Sequence, residues 1–310
     1  MVRLLAIAIL GLALALTSAA AQTVFPSLSP IQTVFIILME NHNWTGTPDA
    51  IKGSPYAPYI NNTLLPAASH TEQYFNPPGI SPSLPNYLWL EAGTNFGILD
   101  DTPPVGHPLT ATQHLVTLLN AAKISWKSYQ EGITGATCPL ADSAPYAVRH
   151  DPFVYFTDVT NNLDPNGAYC IAHVRPFSEL ATDLQHGTVA RYNFITPNLC
   201  DDMHDQCPPI DNDIQQGDTW LSQNVPMILN SAAYRTGGAL FITWDEAESG
   251  DGPIGMIVLS PLAKGHGYQN SIYYDHGSTL RTFEEIFAVS PLLNDAANQK
   301  DLSDLFAVFP

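Results

Sequence analysis

Unbroken apolar runs alternate along this chain with stretches of helical periodicity. The runs Thr33–Met39 (TVFIILM), Ile124–Tyr129, Tyr192–Ile195, Ala239–Trp244 (ALFITW) and Gly255–Leu259 (GMIVL) are β-prone, and the strongest carry no alternating polar positions. Strands covered by protein on both faces have this pattern, because neither face meets water. Helical spacing fills the intervals at Thr110–Ala122, Phe177–Leu184, Thr219–Leu229 and Ser278–Val289. The interleaving predicts an α/β fold built on a mostly parallel sheet. In such sheets the chemistry collects where strands end, at their carboxyl edge.

Two of the strands run straight into acids. TVFIILM is followed by Glu40 and Asn41, and ALFITW by Asp245 and Glu246. If the strands are parallel neighbours, the two sets converge, and carboxylates so crowded call for a cation between them. A third feature is Ser83, in SPSLPNYL, where a proline at an early helical position places the hydroxyl at a helix N-terminus. That serine is read either as a helix cap or as a nucleophile whose phosphoryl group would sit in the helix field. His150, His204 and His276 lie in polar contexts and are able to bind metal, hold phosphate or move a proton.

Residues 1–21 carry Arg3, an apolar run and a terminal Ala19-Ala20-Ala21, the layout of a removable export signal. The remainder, 22–310, has no repeat, charge block or linker and is expected to form one domain. Export makes the mature chain secreted or periplasmic, with no integral membrane association after signal removal. Four cysteines then imply two disulfides, and nearness in sequence favours Cys138–Cys170 and Cys200–Cys207. A net charge of −18 with only 11 Lys and Arg excludes nucleic acid as a partner. An anionic substrate would instead need a metal ion as its positive centre.

The segments ILMENHNW, SPSLPNYLWLEAGT, RHDPFVYF, ITPNLCDDMHD, GDTWL, ITWDEAESG and DHGSTLRTFEEIF occur in this order from Ile37 to Phe287. Together they resemble the phosphoesterase family of acid phosphatases and non-haemolytic phospholipases C, which is similar in fold to the alkaline phosphatase superfamily. The resemblance implies a three-layer α/β/α sandwich and a hydrolase acting on a small phosphorylated substrate. It implies one divalent metal ion (Ca, Mg, Mn or Zn) on Glu40, Asn41, Asp245 and Glu246, with Ser83 as the nucleophile. It further implies His276 and His204 as catalytic groups and Asn86 and His150 as substrate-binding ones. Where larger members have His-Pro-Pro, this chain has Cys207-Pro208-Pro209. Its short length favours a phosphatase over the alternatives, a phospholipase C or other phosphodiesterase on the same site, or a non-catalytic secreted binding protein.

Overall fold

The centre of the fold is β1 (Thr33–Met39), buried at every position. The computed structural model describes residues 29–110 and 113–310, so the export signal expected at 1–21 lies outside the described residues. After β1 come β2 (Ser69–Thr71), β3 (Tyr74–Phe75), β4 (Trp126–Gln130), β5 (Val174–Pro176), β6 (Tyr192–Thr196), β7 (Gly238–Trp244), β8 (Met256–Leu259), β9 (Tyr268–Asn270) and β10 (Tyr274–Asp275). Eight of them form one sheet in the order β5-β4-β6-β1-β7-β8-β2-β9, while β3 pairs with β10. From β5 to β7 the neighbours are parallel; β8 opposes both β7 and β2.

Register decides which side chains share a face. Ile36 stands beside both Phe194 and Phe241, and Leu38 beside Thr243. Side chains alternate along a strand, so these positions look to one helical layer and Phe35, Ile37 and Met39 to the other. On the first face pack the helices Ser83–Ala92, Leu115–Ala121 and His276–Phe287. Phe283 meets Phe241 and Tyr192 at ring-centroid distances of 5.1 and 5.6 Å, and Tyr87 meets Phe194 at 6.2 Å. Across the sheet lies the helix Asp213–Leu229. There a Cβ on Gly217 would come within 2.9 Å of Met39 Cε, so glycine lets this helix approach the sheet closely. The result is a three-layer α/β/α sandwich.

The five apolar runs are all strands, with ends shifted by a residue or two. The short strands β2, β5 and β9 carry too few apolar residues to stand out in the sequence. The helix expected from Thr219 starts at Asp213, because the Asn212 side chain caps it by accepting the Gln215 N–H at 2.8 Å. The helix expected from Thr110 starts at Leu115, where the Thr117 hydroxyl accepts the His114 N–H at 3.2 Å and Glu91 Oε1 accepts the Val116 N–H at 2.9 Å. Both expected disulfides, Cys138–Cys170 and Cys200–Cys207, are formed. Among the described residues no helix is long and apolar enough to cross a membrane.

Candidate active site

The register of β1 with β7 ends with Met39 beside Trp244, so Glu40 and Asp245 leave the sheet side by side. Each continues the alternation toward the Ser83–Ala92 helix. The Asp245 N–H donates to the Met39 carbonyl at 2.9 Å. Asp245 Oδ1 in turn accepts the Asn41 N–H at 3.0 Å and the Glu246 N–H at 2.6 Å. Asn41 turns the chain at φ 42°, a left-handed conformation that asparagine tolerates. Asn41 Oδ1 and Asp245 Oδ2 are buried and make no hydrogen bond.

A further acid comes from the loop after β6. The Asp202 carbonyl accepts the Glu40 N–H at 2.8 Å, which docks that loop against the end of β1. The Cys200–Cys207 disulfide closes the same loop. His150 stands between the two carboxylates, Nε2 at 3.3 Å from Glu40 Oε1 and Nδ1 at 3.2 Å from Asp202 Oδ2. Donor atoms of Glu40, His150 and Asp202 all lie within 4.8 Å of one another. Despite these distances, His150 Nε2 and Asp202 Oδ2 make no hydrogen bond.

The electrostatics are unfavourable without a counter-charge. Burial raises the Glu40 pKa well above the usual range, and the charges of Asp245 and Asp202 raise it further, against the Tyr87 and Ser83 hydrogen bonds. Burial likewise raises Asp202, and raises Asp245 to about 6 against its two backbone N–H donors. His150 is lowered, chiefly by burial and then by Arg149 and His204, which leaves a neutral imidazole, the form that ligates metal. Orphaned buried polar atoms and crowded carboxylates cost free energy that a divalent cation among them would offset. The donors present fit such an ion: carboxylate and amide oxygens suit Ca²⁺, Mg²⁺ or Mn²⁺, and the imidazole admits Zn²⁺.

Ser83 sits at the edge of this cluster. It is the first residue of its helix, and the cap position is Pro82, so the serine does not cap. Its hydroxyl donates instead to Glu40 Oε2 at 3.0 Å. Tyr87, one turn on, donates to Glu40 Oε1 at 2.5 Å. At the mouth, Asp101 Oδ1 accepts the Leu84 N–H at 3.0 Å, and Asp101 Oδ2 lies 3.7 Å from Arg149 Nε. Arg149 reaches on to His204 Nε2 at 3.2 Å, and the partly exposed His204 ring meets Asp205 through Nδ1 at 2.7 Å.

Some placements differ from the sequence-based expectations. Glu246 and Asp245 both lie outside the Glu40–His150–Asp202 group, and the Glu246 carboxylate accepts from Asn86 Nδ2 at 3.1 Å. Burial and the charges of Asp245 and Asp101 raise the Glu246 pKa to about 8. Asn86 Nδ2 also lies 3.2 Å from each of the carbonyls of Ile80 and Pro82, and its Oδ1 is buried without a hydrogen bond. His150 stands between Glu40 and Asp202, among donors of the metal-ligand type. His276 is wholly enclosed, with Nε2 at 2.6 Å from the Asp245 carbonyl and Nδ1 at 3.1 Å from the Tyr74 hydroxyl. Burial lowers its pKa to about 4, and both ring nitrogens have partners. Asp202, Tyr87, Asp101 and Arg149 were not singled out by sequence as site residues. The carboxyl-edge rule applied to β6 would have pointed to Asp202, in the first loop after it.

A phosphatidylinositol-3-phosphatase of Mycobacterium tuberculosis is 27% identical over 274 residues, covering 88% of this chain and 82% of that protein. A probable acid phosphatase of Kluyveromyces lactis is 29% identical over 216 residues, 66% of this chain; the chain spans only about half of that relative, 48% of its length. In fold the chain is similar to an alkaline phosphatase superfamily protein of Vibrio parahaemolyticus, with a TM-score of 0.56 at 9% identity over 91% of this chain and 76% of that one. The model of the phosphoesterase family matches residues 56–290, most of the chain, with Glu40 and Asn41 just ahead of the matched span. The chain therefore belongs to the phosphoesterase family and is a hydrolase acting on phosphoric ester bonds.

Proposed function

We propose that this hydrolase is an exported, metal-dependent phosphomonoesterase that works through a phosphoserine on Ser83. The observation that carries the reading is the Ser83 hydroxyl donating to Glu40 Oε2, at the rim of a buried carboxylate–imidazole cluster. Glu40, Asn41, His150, Asp202 and Asp245 would hold a divalent cation, which would supply charge neutralisation at the reacting phosphoryl group. Ser83 Oγ attacks phosphorus and passes its proton to Glu40 Oε2, the bond to the departing alkoxide breaks, and that oxygen takes up a proton. Water then cleaves the Ser83–phosphate bond and phosphate leaves. With His276 sealed off, His204 is the histidine open enough to give the alkoxide oxygen a proton of its own; in the water step His204 recovers a proton from the attacking water and Glu40 returns its proton to Ser83 Oγ. Two disulfides support export to an oxidising compartment, and relatives named as phosphatases support a monoester over a diester.

The test is a panel of phosphomonoesters and diesters assayed across pH, after chelation and with single metals restored. Acid quench during turnover should trap phosphate on Ser83, visible by mass spectrometry. Ser83→Ala should lower kcat/KM at least about a hundredfold while remaining folded. Full activity in that variant, or after exhaustive chelation, overturns the covalent or the metal part of the reading respectively.

A further inference from the structure

The helix that begins at Ser83 places the Leu84 N–H next to the nucleophile in sequence, and the Arg149 guanidinium reaches the carboxylate that this N–H meets. A phosphoryl group carried by Ser83 would want both, since helix N-termini and guanidinium groups are the strongest anion donors a protein offers. In this structure both are already engaged by one carboxylate. Asp101 Oδ1 accepts the Leu84 N–H at 3.0 Å and Asp101 Oδ2 lies 3.7 Å from Arg149 Nε. The Asp101 side chain is about one-third exposed and that of Arg149 less so, which puts their pair at the entrance and not in the core.

We propose that Asp101 is an internal stand-in for the substrate's phosphoryl group, and that it tunes how tightly the site holds phosphate. The inference rests on the reading that phosphoryl groups visit Ser83. Asp101 is anchored from its own loop: Asp100 accepts the Thr102 N–H at 2.8 Å and lies 2.7 Å from His107 Nε2, so the loop holds its shape while the Asp101 side chain turns away. A phosphate that enters takes over the Leu84 N–H and the Arg149 guanidinium, and the displaced carboxylate moves to solvent. On product release Asp101 returns and competes phosphate off. The carboxylate thereby trades affinity for turnover, which suits an enzyme whose product resembles its substrate.

The experiment is calorimetric titration of inorganic phosphate into the metal-loaded protein, beside the same titration of Asp101→Asn, Asp101→Ala and Arg149→Ala. Asn keeps an oxygen for the Leu84 N–H and removes only the charge, so it guards against a folding defect in the Ala variant. Removing one like charge at contact distance should tighten phosphate binding about three- to tenfold in both Asp101 variants. Arg149→Ala should weaken it. Phosphate binding that is unchanged or weaker in Asp101→Asn overturns the stand-in role and makes Asp101 a residue that merely aims Arg149. Because binding is read directly, this outcome is distinct from failure of the Ser83 reading, which would show as an active Ser83→Ala with the phosphate affinities undisturbed.

Discussion

Tyr87 lies flat on His150, ring centroids 5.1 Å apart and planes inclined by 3°, while its hydroxyl reaches Glu40 Oε1. One side chain thus fixes the orientation of two members of the donor cluster. Tyr87→Phe keeps the stacked ring and deletes only the hydrogen bond. Loss of such an orienting bond costs roughly 10–100-fold in metal affinity or activity. A metal titration of the variant, with excess metal restoring part of the lost rate, checks this.

Glu40 should matter in opposite directions for activity and for the stability of the metal-free protein. Its carboxylate is fully buried beside those of Asp245 and Asp202, and like charges in such a place work against folding. Glu40→Gln removes one of them, so metal-free protein should melt higher, by roughly 2–4 °C for each kcal/mol of repulsion relieved. The same change should abolish phosphoester hydrolysis and reduce the stabilisation on adding metal. Melting curves with and without metal give both readouts.

A pH dependence of stability should come from outside the active site. His114 is enclosed between Glu91, at 2.9 Å, and Asp158, at 3.2 Å. Burial alone would lower its pKa, but the hydrogen bonds and charges of the two carboxylates outweigh burial and the net shift is upward. A raised folded pKa means tighter proton binding in the folded state. The contribution is therefore complete below the ordinary histidine value of about 6.5 and is lost as pH rises through the higher folded value. Glu91, raised mainly by burial, acts in the same direction. The melting temperature of His114→Asn should fall furthest below that of the unaltered protein near pH 6, and the gap should narrow as pH rises.

The two disulfides should differ in what they protect. Cys200–Cys207 closes the loop that carries Asp202, and the two cysteines are separated by only 7 in sequence. Closing so short a loop stabilises by about 2–3 kcal/mol in the chain-entropy picture. A Cys200→Ser/Cys207→Ser variant should lose activity out of proportion to its stability, because Asp202 is no longer held against the Glu40 N–H. Replacing Cys138 and Cys170 should lower the melting temperature with little effect on kcat.

Much of the site was legible because its residues follow directly from strands. Glu40 and Asp245 are the first residues past two runs with no polar interruption, and register does the rest. Ser83 was legible through the proline after it, although its hydroxyl turns out to serve Glu40 rather than the helix end. Asp202 was not legible in this way: it is set apart from β6 by Pro197 and the turn at Asn198, and only its contact with the Glu40 N–H brings it in. His276 shows the opposite difficulty. Its Asp-His-Gly-Ser setting has the composition of a reactive loop, yet the groups that enclose it, Tyr74 and the Asp245 carbonyl, are both remote in sequence. The edge strands escaped notice because three residues are too few to show a period.

The pairing of Met39 with Trp244 also bears on how the protein is made. Asn41 and Asp245, which meet across that pairing, are 204 residues apart, and Asp245 cannot reach Asn41 until β7 has docked on β1. A slip of one residue would send Glu40 or Asp245 to the opposite helical layer. Contacts of such sequence separation are late and slow to form. A chain emerging from the ribosome thus lacks the Asn41–Asp245 contact until β7 is present and correctly threaded beside β1.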